Sequence, residues 1–154
     1  MSIEERIKSL NISIPNAPSP VGAYVAYKII NNIIYVSGQL PIDVNGKINK
    51  GKVGSDLTTE QGQIAAKLCC INLIAQLKAA CNGDLNKVKN CIKITGYVNS
   101  TDTFVDQPKI INGASELLVS VFGENGKHAR AAVSVNSLPL GAAVEVEAVF
   151  EVSE

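Results

Sequence analysis

At 154 residues, 46% hydrophobic and 18% charged, the chain has the length and balance of one globular domain, able to bury a core without disulfide or metal staples. Formal net charge is +0, lysines outnumber arginines twelve to two, and no basic stripe is present, so charge gives no support for a nucleic-acid partner. No apolar run approaches the roughly 20 residues of a membrane span. The opening MSIEERIKSL has no apolar core of a secretory signal, so a cytoplasmic protein is expected.

Residues 2–9 predict a short helix, with Ser2 as cap and Glu5 three positions on as its capping-box partner. PNAPSP, 15–20, is a stiff extended segment leading to the sheet. AYVAYKII and IIYVSGQ flank Asn31-Asn32, a two-residue hairpin signal, because asparagine tolerates positive φ. Residues 41–57, with Gly46, Gly51 and Gly54, predict a surface loop. Thr58 and Gln61 form a second capping box. A long helix follows, whose buried face is expected at Ile64, Leu68, Ile71 and Ala75, with a stop at Asn82-Gly83. KNCIKITGYV alternates as a strand, with Cys91, Lys93 and Thr95 against Ile92 and Ile94. Residues 108–122 place Ile110, Ile111, Ala114, Leu117, Leu118 and Val121 on one helical stripe, closed by Gly123. Two strands finish the chain, joined by Pro-Leu-Gly.

The order is (α)ββ-α-β-α-ββ, an α+β domain with a mixed sheet and two long helices on one face. Residues 1–154 are expected to form one domain, with 1–16 as an N-terminal helical extension. Ile29-Ile30, Ile33-Ile34, Val144, Val146, Ala148 and Phe150 suggest a sheet apolar on both faces, the second covered by self-association. The cysteines, Cys69, Cys70, Cys81 and Cys91, form no CxxC pair, and His128 is the sole histidine; buried thiols are expected and no metal site.

The last two strands hold the chemistry. In HARAAVSV, Arg130, Ala132 and Ser134 share one face, and in VEVEA, Glu145 and Glu147 share another. A guanidinium among small residues leaves space for a carboxylate to bind its planar fork. A glutamate nearby can orient a water. An ordinary cross-strand Arg–Glu pair is the competing reading. His128 is expected at the rim of the cleft, and Glu147 as the partner of a lysine.

HARAAVSVNSLPLGAAVEVEA resembles the signature of the RidA/YjgF family of reactive-intermediate deaminases. So do SPVGAYVAY, YVSGQLP, DLNKVKNCIKITGYVNS and QPKIINGASELL, in the same order over roughly residues 17–152. The likeness is strongest to a longer branch, whose members carry endoribonuclease or translation-initiation-inhibitor labels.

The resemblance implies a chorismate-mutase-like fold and a homotrimer, with clefts built from two subunits. It implies cofactor-free and metal-free hydrolysis of small carboxylate-bearing enamines and imines, of the 2-iminobutanoate/2-iminopropanoate class, to 2-keto acids and ammonia. By motif, Arg130 clamps the substrate carboxylate and Glu145 handles the water. Tyr24 shapes the pocket. Gly38, with Ser37 beside it, offers backbone. Asn112 lies at the opening of the second helix region. Ala132 stands where many members have cysteine, which excludes a thiol role and leaves a backbone carbonyl to hold water. Ala23 replaces a common proline, and Leu117 and Leu118 stand where some members carry aromatics. Two other functions share these residues: a non-catalytic binder of small carboxylates, and an endoribonuclease or translation inhibitor, against which the missing basic surface speaks.

Overall fold

The computed structural model describes residues 1–154. Helix α1 spans Ile3–Ser9, and its capping box is complete: Ser2 Oγ accepts from the Glu5 N–H (3.1 Å) and Glu5 Oε2 accepts from the Ser2 N–H (2.9 Å). Strand β1 (Tyr27–Ile30) turns through Asn31, at φ 54°, into β2 (Ile33–Gln39). The expected hairpin is present, although residues 23–26 stay outside the first strand. Helix α2 (Thr59–Ala80) begins at the Thr58–Gln61 capping box and ends where Asn82 and Gly83 take φ values of 54° and 90°. Strand β3 is Val88–Asn99, helix α3 Gln107–Phe122, strand β4 Ala129–Val135 and strand β5 Val144–Val152. All six apolar residues expected on the α3 stripe are buried, and Gly123 closes the helix at φ 64°.

The five strands lie in the order β1-β2-β5-β3-β4. Every neighbouring pair is antiparallel except β3 with β4, which is parallel. Parallel neighbours need a crossover rather than a tight turn, and α3 supplies it. β4 and β5 are therefore not a hairpin. β3 runs between them, and Pro139–Gly141 is a short 3-10 turn on the path from the sheet edge to its centre. The Arg–Glu cross-strand pair is thereby excluded; the ion pair in the structure is Lys127–Glu124 (2.8 Å), at the surface.

Helices α2 and α3 pack on one another and on a single face of the sheet. Ile34, Val36, Ile94, Val144, Val146, Ala148 and Phe150 lie in that core. Most of the residues expected on a second apolar face are thus under the helices. The open face is mixed: Ile30, Tyr35 and Val133 are about half exposed there, beside Thr95, Tyr97, Glu145 and Glu147.

Three local expectations need correction. The buried side of α2 includes Ala65, Ala66, Cys69, Cys70, Leu73, Ile74 and Leu77; of the face expected, Ala75 is buried, Leu68 and Ile71 are half-buried, and Ile64 is 58% exposed. The helix is covered both by the sheet and by α3, and small side chains permit that close approach: a Cβ at Gly113 of α3 would overlap the Gln63 carbonyl of α2. In β3 a register shift between Cys91 and Lys93 breaks strict alternation, so Cys91 and Ile94 both face inward and Ile92 faces out. The 41–57 loop is not wholly superficial. Val53 is completely buried, and Lys52 Nζ donates to Asn99 Oδ1 (2.8 Å) and Asn136 O (2.7 Å), tying the loop to the ends of β3 and β4. All four cysteines are free and buried. No helix is long and apolar enough to cross a membrane.

Candidate active site

Side chains at paired positions of neighbouring strands share a face. Ile94 pairs with Arg130 on one side and with Ala148 on the other, and both Ile94 and Ala148 are in the core. Arg130 therefore projects to the helix side, at the edge strand, with Ala132 next to it against the core. There α3 receives it. Nη1 donates to Asn112 Oδ1 (2.8 Å) and Ser115 Oγ (3.1 Å), and Nη2 donates to the Pro108 carbonyl (3.3 Å). A guanidinium has five N–H donors, so the Nε–H and the second Nη2–H remain for a ligand, enough for a two-point grip on a carboxylate. Asn112 and Ser115, three residues apart on α3, form the cradle.

Glu145 and Glu147 pair with Tyr97 and Thr95 and project to the open face. Glu147 does not meet a lysine. Its Oε1 accepts from the Tyr97 hydroxyl (2.5 Å), which with burial pushes the Tyr97 phenol up to about 12. Glu145 reaches a cavity of about 250 Å³ lined by Pro18, Tyr24, Gly38, Gln39, Leu140 and Glu145 itself. Burial, and then the charge of Glu147, raise the Glu145 carboxyl above the ordinary carboxylate range. Gly38 sits at an irregularity in β2–β5 pairing between Val36 and Gln39, where a Cβ would overlap the Glu145 carboxylate. Ser37 does not line the cavity. Its hydroxyl donates to the Val25 carbonyl (2.7 Å), pinning the segment that carries Tyr24. Tyr24 stands half exposed at the mouth, its Oη accepting from the Val21 N–H (3.2 Å).

Two residues not singled out in the sequence support the cavity, Gln39 in its lining and Gln76 behind it. Gln76 of α2, almost wholly buried, donates through Nε2 to the Pro18 carbonyl (2.6 Å), and Gln39 Nε2 donates to the Ser37 carbonyl (3.0 Å). The signal for Gln76 was a pair of amides one turn apart, Asn72 and Gln76, on an apolar helix; both are buried. His128 is more than a rim residue: Ser115 Oγ lies 2.8 Å from its Nε2, and Nδ1 lies 2.6 Å from the Gly126 carbonyl. No group of three or more His, Cys, Asp or Glu side chains is gathered to hold a metal ion.

One chain thus assembles Arg130, Asn112 and Ala132 on the helix side and Tyr24, Gly38 and Glu145 in the cavity on the other side of the sheet, and does not bring the two groups together. Residues 4–152 match the family described as "YjgF/chorismate_mutase-like, putative endoribonuclease". The chain belongs to the RidA/YjgF family. It is 43% identical over 152 residues to protein TCP17 of Trypanosoma cruzi, spanning 98% of this chain and 94% of that one. It is 32% identical to the 2-iminobutanoate/2-iminopropanoate deaminase of Rattus norvegicus, spanning 90% and 86%. The crystal structure of Atu1372, a protein of unknown function from Agrobacterium tumefaciens, superposes with a TM-score of 0.92 at 48% identity, spanning 98% and 92%. The RidA/YjgF fold accounts for the mixed sheet with both long helices on one face.

Proposed function

We propose that the chain hydrolyses small enamines and imines bearing a carboxylate, of the 2-aminoacrylate type, in clefts built between copies of itself in a homotrimer. One observation carries this reading: the two complementary halves of such a site lie on opposite faces of one sheet, Arg130 with two N–H donors free on one and Glu145 in a cavity on the other. Two copies are needed to close the site, and the open face, with exposed Ile30, Tyr35 and Val133, offers surface for their contact.

In the closed cleft the Arg130 fork binds the substrate carboxylate and sets its register. 2-Aminoacrylate tautomerises to 2-iminopropanoate, whose C2 is electrophilic. On the protonated imine, Glu145 takes one water proton as the water oxygen bonds to C2 and the C=N π pair moves to nitrogen, giving a neutral carbinolamine. Glu145 returns that proton to nitrogen; as the C–N bond breaks, ammonia leaves, the carbinolamine O–H proton passes to the Glu145 carboxylate and on to the ammonia or solvent, and the 2-keto acid forms. A carboxyl raised above its usual range is better matched to both tasks near neutral pH. The 250 Å³ cavity, about the size for a three- or four-carbon acid, supports a small substrate. The test is release of pyruvate and ammonia from freshly generated 2-aminoacrylate, faster than the uncatalysed reaction with the wild type and not with Arg130→Ala. Equal rates in the two proteins would overturn the reading. Carboxylate binding without turnover would leave a metabolite-binding protein in its place.

A further inference from the structure

The Arg130 cradle has an outer layer. Arg130 Nη1 donates to Ser115 Oγ (3.1 Å), Ser115 Oγ lies 2.8 Å from His128 Nε2, and His128 Nδ1 lies 2.6 Å from the Gly126 carbonyl. Both ends of this chain have one polarity. A guanidinium only donates, and a carbonyl only accepts. The Gly126 carbonyl therefore takes the Nδ1–H, which in the neutral form of the ring leaves the Nε2 lone pair facing Ser115. The Ser115 hydroxyl spends its single proton on Nε2 and turns its lone pairs to Arg130. Without an acceptor at 128 the hydroxyl proton is free to rotate, and in some of its positions it meets the Nη1 hydrogens head-on.

The far anchor is fixed by packing. Gly126 is buried, and a Cβ there would overlap the Leu118 carbonyl of α3, so only glycine lets this turn lie against the helix. Asn112 holds the same Nη1 by its other hydrogen (2.8 Å), which fixes one direction of the guanidinium plane. The Pro108 carbonyl takes one Nη2 hydrogen at a longer 3.3 Å, and Ser115, at 3.1 Å, takes the remaining Nη1 hydrogen and tightens the plane.

We propose that His128 is a positioning residue: through the Ser115 hydroxyl it sets the plane of the Arg130 guanidinium, so that the Nε–H and the remaining Nη2–H meet a carboxylate together. This rests on the reading of Arg130 as the carboxylate clamp. His128 touches no substrate in this scheme. Its effect is on binding register, which is shared by ground state and transition state, and so falls mainly on KM.

The experiment uses the full-length protein, with pyruvate as a non-reacting carboxylate measured by calorimetry, and steady-state hydrolysis of 2-iminopropanoate. Ser115→Ala and His128→Leu should each weaken pyruvate binding and raise KM by about 3- to 10-fold, the scale of one neutral hydrogen bond, with a smaller change in kcat. The double variant should be no weaker than Ser115→Ala alone, because the histidine acts only through the serine. His128→Gln keeps a side-chain acceptor and a donor and should recover most of the lost affinity, which a general loosening of the fold would not show. Three outcomes overturn the proposal: His128→Leu binding pyruvate as the wild type does, additive losses in the double variant, or equal losses for His128→Leu and His128→Gln. Arg130→Ala separates the two layers of inference. If it abolishes pyruvate binding while the Ser115 and His128 variants bind normally, the positioning role falls and the clamp stands. If Arg130→Ala itself binds pyruvate normally, the clamp falls, and the positioning role with it.

Discussion

Arg130 and Glu145 project from opposite faces of one sheet, with β3 lying between their strands. No side-chain rotation within a chain joins them, so a cleft that uses both takes each from a different copy. This predicts subunit complementation. Arg130→Ala and Glu145→Gln homo-oligomers should each be nearly inactive. Co-expressed in equal amounts with two affinity tags, they should yield, in the proposed trimer, mixed assemblies in which one of the three clefts, about one third, draws both walls from unmutated positions. Ammonia release from the doubly purified mixture should reach about that fraction of the wild-type rate. If it shows only the average of the two parents, the two residues do not share a cleft between subunits.

The roles assigned to these residues also separate kinetically. Arg130→Lys keeps the charge and loses the planar two-donor fork, so it should not rescue Arg130→Ala. Loss of the charged hydrogen bonds is worth roughly 1.5–3 kcal/mol, so pyruvate affinity should fall by about one to two decades in both. Glu145→Gln keeps the size of the side chain and loses its basic oxygen. It should bind pyruvate nearly as well as the wild type and turn over about 10²–10⁴-fold more slowly. Turnover by Glu145→Gln at the wild-type rate would remove Glu145 from the water-handling role.

Local signals were legible in the sequence because local physics decides them. The two capping boxes, the Asn31 hairpin, the Asn82-Gly83 stop and the α3 stripe each depend on a few consecutive residues, and each is present. Alternation in HARAAVSV and VEVEA correctly separated Arg130 from the apolar residues on the other face, and Glu145 from the core. It could not say which strands are neighbours, because period two specifies faces and not pairing; the insertion of β3 between β4 and β5 is a property of topology. The exposed Ile64 and buried Ala66 show the same limit in a helix covered from two sides. Of the residues proposed for the site, Arg130, Glu145, Tyr24, Gly38 and Asn112 followed from motifs. Ser115, Tyr97 and Gln76 did not, because their roles lie in contacts between elements far apart in the chain. Ser37 proved to hold the 24–26 backbone and not to line the cavity.

Two glycines should respond in opposite ways to the same substitution. At Gly38 the added Cβ meets the flexible end of Glu145, which can swing aside. Gly38→Ala should therefore melt close to the wild type and lose activity, because the displaced carboxylate no longer faces the cavity. At Gly113 the Cβ meets the Gln63 backbone carbonyl of α2, which cannot yield without parting the two helices. Gly113→Ala should cost about 1–3 kcal/mol of stability, as overpacking of a tight contact does. Thermal melts beside ammonia-release assays check both. A Gly38→Ala protein with full activity would mean that the position of the Glu145 carboxylate is unimportant.

The raised Glu145 carboxyl should make the stability of the fold depend on pH. Burial first, and the charge of Glu147 second, make the folded protein hold the Glu145 proton more tightly than the unfolded chain does. Below the ordinary carboxylate range, near pH 4, both states are protonated and the group is neutral in its effect. As pH rises through the window between the unfolded and the raised folded values, the unfolded state loses its proton first, and stability falls. Above that window the penalty is constant. Glutamine never ionises, so Glu145→Gln escapes it. Relative to the wild type, the Tm of Glu145→Gln should therefore climb from pH 4 toward neutrality and then level off, while its deaminase activity stays low at every pH. Melting curves at pH 4, 5.5 and 7.5 decide the matter: a difference that does not change with pH, or one that favours the wild type at 7.5, would show that the folded protein does not resist ionising Glu145.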